Sequence, residues 1–144
     1  MYNKKYIFNP TQAIENNFEL VLEGKHNARI IKVEEQISKN GNEMLVVFIQ
    51  PDNYKFPLKY YITLSNLNSA DIQKNGFAQK LLVDLHVAFE IPYDKENPQE
   101  LNAKGWVGHT GVIEVEHELY DSKKIAKIKK CIPLENIEED DLPF

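Results

Sequence analysis

Two apolar-rich runs, at about residues 28–37 and 43–50, flank the segment Ser38-Lys39-Asn40-Gly41-Asn42 and predict a β-hairpin. A two-residue Asn40-Gly41 turn would set Lys32 against Ile49 and Glu34 against Val47, mixing charge with aliphatic surface. A three-residue loop, Lys39-Asn40-Gly41, with Gly41 left-handed in a bulge, sets Ile31 against Ile49 and Val33 against Val47 instead. Register follows the buried face, so the second pairing is expected. It makes Lys32 and Phe48 neighbours on the opposite face.

A third strand is predicted at about residues 56–64. Phe56, Leu58, Tyr60, Ile62 and Leu64 share one face, the core candidate, and Lys59, Tyr61 and Thr63 share the other. Phe77, Leu81, Leu85 and Phe89 then recur at every fourth position, which predicts an amphipathic helix that stops before Pro92. Asn97-Pro98-Gln99-Glu100 reads as a single helical turn, with an N-cap, a proline first and an acid third. A fourth strand is predicted at about residues 106–119, with Val107, Ile113, Val115 and Leu119 on one face and glycines at 105, 108 and 111 marking bends or bulges. Tyr120-Asp121-Ser122-Lys123 turns into a fifth, at about residues 125–132.

The order is three strands, a helix, then two strands. The predicted class is mainly β: a five-stranded OB-fold barrel, the partly open Greek-key barrel that binds oligonucleotides, with one helix between strands three and four. A mixed antiparallel sheet with one packed helix has the same order. The expected domains are an N-terminal arm at 1–22, the barrel at 23–133 and an acidic flexible tail at 134–144.

Charge changes the picture only when it is divided. The formal net charge is −5, with 22 acids against 17 bases. Five of those acids lie in residues 134–144, which hold no base, so residues 1–133 carry 17 of each sign. A neutral body can still gather its lysines on one face. The single cysteine, Cys131, leaves no internal disulfide and fits a reducing compartment. No long apolar run and no signal-peptide core is present, so the expectation is a cytoplasmic protein without membrane contact.

No motif marks a catalytic centre or a metal site. His26, His86, His109 and His117 are scattered, and structural roles are expected for them. The expectation is a non-enzyme with no cofactor. The acids of the tail leave open a weak divalent-metal site, and with it a metal-dependent nuclease subunit. The binding inventory is richer. Lys32, Phe48, Lys59 and Tyr61 project from the outer face of three consecutive predicted strands, where bases stack on aromatics while lysines hold phosphates. Trp106, at a strand entrance, is a candidate third platform, with burial under a loop as its alternative. Lys127 and Lys129 lie on one side of the fifth strand as further phosphate ligands, or as charges that protect an edge strand.

The segment EGKHNARIIKVEEQISKNGNEMLVVFIQ has a Gly-led first strand, a Ser-Lys-x-Gly-Asn turn and an aliphatic second strand. It resembles the opening of phage-encoded OB-fold single-stranded DNA-binding proteins. LNAKGWVGHTGVIEVEHELYDSKKIAKIKKCIP resembles their helix-to-barrel ending. The final Asp140-Asp141-Leu142-Pro143-Phe144 resembles the acidic tip with which bacterial single-stranded DNA-binding proteins recruit repair and replication enzymes. The resemblance implies stoichiometric coating of single strands during phage DNA replication or recombination, with host or phage proteins docking on the tip. Acids steer such a peptide, and an aromatic with its terminal carboxylate anchors it. Homo-oligomers are compatible with this reading. An OB-like protein adaptor with little DNA binding is the other binding class left open.

Overall fold

The computed structural model describes residues 6–12 and 20–133. Their fold is mainly β. Five antiparallel strands, β1 (Gly24–Ile37), β2 (Glu43–Pro51), β3 (Leu58–Thr63), β4 (Thr110–Tyr120) and β5 (Lys123–Ile132), form one sheet in the order β3-β2-β1-β4-β5. A single α-helix, α1 (Ile72–Ala88), lies between β3 and β4 in the chain. The edge strands β3 and β5 approach each other without pairing, so the sheet curls but is not closed into a barrel.

The hairpin of β1 and β2 shows how local chemistry sets register. Ser38 N donates to Asn42 O at 2.8 Å and Gly41 N to Ser38 O at 2.9 Å, which closes the three-residue loop. Gly41 stands at φ +83°, a conformation that a side chain disfavours. Val33 faces Val47 and Lys32 faces Phe48, as expected. Ile31 does not face Ile49. It is the extra residue of a bulge, exposed, and Ile30 takes its place in the core. A bulge adds twist and bends its strand, and here it falls in the strand that the two halves of the sheet share. A second irregularity, between Glu114 and Val115 opposite β5, has the same character.

The core lies on the concave side, where Ala28, Ile30, Leu45, Val47, Ile49, Ile62, Ile113, Val115 and Ile128 meet Leu82, Leu85 and Ala88 of the helix. Asp71 caps the helix N-terminus by accepting from Gln73 N and Lys74 N at 3.0 and 3.3 Å. At the other end, Ile91 N donates to His86 O and Glu90 N to Val87 O, with Glu90 left-handed at φ +54°. This is a Schellman ending, and it turns Phe89 and Ile91 into the core just before Pro92. The helix end presses on β4 at Gly111. A Cβ there would run into the Ala88 carbonyl, so the position needs close approach, where a bend or bulge was expected.

Several apolar positions depart from the predicted faces. Phe56 is exposed because β3 begins only at Leu58, after Pro57. Phe77 is exposed because the helix starts five residues earlier than its apolar spacing implied, at Ile72, and its first turns run past the core. Leu119 is exposed because β1 reaches β4 only as far as Val115, which leaves the tip of the β4–β5 hairpin uncovered. Val107 is exposed in the loop before β4, which bonds back through Gly108 N to Ile30 O at 2.8 Å. Residues 97–100 form no helical turn. Asp94 organises them instead, accepting from Glu96 N and Asn97 Nδ2 while Gln99 bonds its backbone. Val21 is buried in the core, so the packed unit includes the last residues of the expected arm.

Candidate nucleic-acid interface

β2 and β3 turn alternate side chains away from the core, and β1 does the same beyond its bulge. Phe48 stands on β2 directly between Lys32 of β1 and Lys59 of β3. The Lys32 ammonium lies 5.3 Å from the centre of the Phe48 ring and the Lys59 ammonium 5.6 Å, both within cation–π range. Tyr61 follows two residues after Lys59 on the same face, opposite Val46, and is 53% exposed. Phe48 and Tyr61 are thus diagonal neighbours on adjacent strands, a relation that spans roughly 7–8 Å. Four of the expected residues form one patch.

Tyr60 points the other way. It packs on the core, and burial raises the pKa of its hydroxyl above the usual tyrosine value, with Cys131 and Asp84 adding to the shift. The alternation expected for the adjacent tyrosines is the one observed.

Lys32 also contacts Glu34 at 2.5 Å, and that hydrogen bond is the first cause of a lowered Glu34 pKa. The pair is solvent-facing, and such pairs contribute about 0–1 kcal/mol. A phosphate oxygen can therefore draw the ammonium away. No carboxylate among the described residues lies within ion-pair distance of Lys59.

The other expected residues do not join the patch. Trp106 ends a short helical turn, Ala103–Trp106, and is 1% exposed. Its ring meets His86 edge-on, centroids 5.4 Å apart at 85°. With both faces enclosed, it offers nothing for a base to stack on, and the platform expected there is a core residue. Lys127 contacts Glu118 at 2.8 Å and Glu116 at 3.4 Å, and the Glu118 hydrogen bond is the first cause of its raised pKa. Lys129 lies 3.7 Å from Glu114. Carboxylates of β4 thus face both lysines, an arrangement that fits the edge-protection alternative for β5. Asp140, Asp141, Leu142, Pro143 and Phe144 lie outside the described residues.

Comparison of the chain with protein families and with curated proteins returns no match. The chemistry must therefore be read from the residues. Each of the four histidines directs a ring nitrogen at a backbone carbonyl: His26 at Leu22, His86 at Leu82, His109 at Phe89 and His117 at Val21, at 2.6–3.1 Å. Each ring is thereby tied to the backbone. Cys131 is buried, and burial pushes its thiol up to about 12, far from a reactive thiolate. Among the described residues no three His, Cys, Asp or Glu side chains gather as a metal site, and no helix is long and apolar enough to cross a membrane.

The patch missing from the sequence reading is at the β3 edge. Phe77 and Lys74 of α1 share a hollow there with Tyr61. The apolar spacing of the helix places Phe77 in line with Leu81, Leu85 and Phe89, which hides its exposure. The Asp71 cap, three residues before Lys74, was the available signal that the helix begins early.

Proposed function

We propose that this protein binds single-stranded DNA through the outer face of β1, β2 and β3, on an OB-type barrel left open between β3 and β5. Phe48 flanked by Lys32 and Lys59, with Tyr61 beside them, carries the reading. A base that stacks on Phe48 must displace a lysine from the ring. An exposed cation–π contact contributes about 0.5–1 kcal/mol, and a stacked base about 1–3 kcal/mol. Stacking wins, and the released ammonium is then placed for the adjacent phosphate. The mechanism is stoichiometric binding with no chemical step. The mixed charge of the β4–β5 face leaves β2 and β3 as the electrostatically favoured side, which is also the side oligonucleotides use on OB barrels.

The decisive experiment is a titration with single- and double-stranded oligonucleotides of equal length across a salt series. The single strand is expected to bind far more tightly, with a log–log salt slope of about −0.7 per phosphate neutralised. Equal affinity for the duplex would reject the reading, because stacking needs unpaired bases.

The segment at 134–144 is proposed to work in two ways. Its five acids compete with DNA for the lysines, so deletion of residues 135–144 should tighten binding, most at low salt where screening is weak. Leu142-Pro143-Phe144 is proposed to anchor replication and repair proteins, with the acids steering the encounter. Phe144→Ala should lose those partners in a pull-down while DNA affinity holds. Recovery of the same partners, or unchanged low-salt affinity on deletion, rejects the corresponding half.

A further inference from the structure

We infer that the bound strand continues from Tyr61 over the β3 edge and places another base in a hollow between β3 and the first turns of α1, on Phe77. The inference rests on the single-strand reading above and extends it to a second surface.

The hollow holds about 280 Å³ and is lined by Tyr61, Thr63, Asn66, Lys74, Phe77 and Leu81, among others. That volume is just below the range of about 300–1,000 Å³ for small-ligand sites, which suits one ring system and not a larger molecule. Phe77 is 75% exposed, a large apolar side chain on the first turns of the helix, which run past the core. An exposed phenyl beside an exposed tyrosine is costly surface in water, and a stacked base would cover both. Lys74, one turn before Phe77 and exposed, is on the same helix face at the rim, where a phosphate would pass.

Continuity selects the occupant. Tyr61 lines the hollow and also stands diagonal to Phe48, so the two surfaces share a residue. A strand that stacks on Phe48 and Tyr61 reaches the hollow by continuing that diagonal outward, from β2 across β3 and over its edge. A protein helix or a second copy of the chain would cover Phe77 but would not need that alignment.

The test uses the full chain and oligo-dT of about four and about twelve nucleotides, lengths within the range that one OB fold covers. Phe77→Ala is expected to leave affinity for the shorter probe unchanged and to weaken the longer by roughly 5- to 150-fold. Phe48→Ala should weaken both. Melting curves should show Phe77→Ala folded as the wild type, since the side chain is largely in water. If Phe77→Ala binds both probes like the wild type while Phe48→Ala weakens both, the extension is wrong and the sheet-face reading stands. Equal weakening of both probes by Phe77→Ala also overturns it, because Phe77 would then belong to the primary site. A change of oligomeric state with unchanged affinities assigns the hollow to a second copy. If the wild type binds neither probe, both readings fail together.

Discussion

Alanine at Phe48 and Tyr61 together is expected to weaken single-strand binding by about 2–6 kcal/mol, the sum of two platforms at about 1–3 kcal/mol each. The two rings are diagonal neighbours, so they stack on adjacent parts of one strand, and comparison with the separate substitutions measures any coupling between them. Tyr61→Ala should leave the melting temperature close to wild type, since the ring is half in water. Tyr60→Ala should do the opposite. It removes a ring packed on the core, costs about 3 kcal/mol of stability and leaves the DNA-facing side intact. Titrations and melts of the four variants check this directly. Loss of binding in Tyr60→Ala at constant stability, with none in Tyr61→Ala, would reverse the assignment of faces.

Trp106→Ala is expected to destabilise the fold by about 3–5 kcal/mol, because it empties the space of the largest buried side chain. Native domains hold only about 5–15 kcal/mol in total, so much of the margin would go. For a chain near this length, each kcal/mol moves the melting temperature by about 2–4 °C, which predicts a fall of roughly 6–20 °C. The edge contact with His86 is lost as well, and His86 anchors its ring on Leu82 O within the helix. Below the new transition, DNA affinity should match wild type. A variant that melts normally but binds weakly would restore Trp106 as a stacking platform and contradict its enclosure.

The electrostatic side of the interface carries a milder expectation, tied to the same geometry. Lys32 is shared between Glu34 and the Phe48 ring, whereas Lys59 lies over the ring with no carboxylate of the described residues in ion-pair contact, its charge reaching Glu34 only at longer range. The salt series proposed above therefore reports mainly on how far phosphates outcompete these weak surface contacts.

Pattern and turn chemistry alone determined the parts of this protein that depend on neighbours in sequence. Gly41 and the aliphatic alternation specified the hairpin register, and with it the Lys32–Phe48 pair. Period-two alternation separated Tyr60 from Tyr61, because a strand leaves each side chain only two directions. Strand number and the position of the helix followed from the same signals. Only the tertiary structure decided the rest. Ile31 gave way to Ile30 because a bulge adds one residue where the two halves of the sheet share β1, and nothing in the local sequence marks that junction. Phe56, Phe77 and Leu119 carry core-like spacing but lie where no partner element reaches, and burial requires a second surface. Trp106 was open to two readings until the helix and its His86 arrived over it. Lys127 and Lys129 were open to two readings, phosphate ligands or edge protection, and only the pairing of β4 with β5 shows the carboxylates beside them, Glu116 directly across from Lys127 and Glu118 and Glu114 within reach, because what lies across a strand pair is fixed by pairing distant segments.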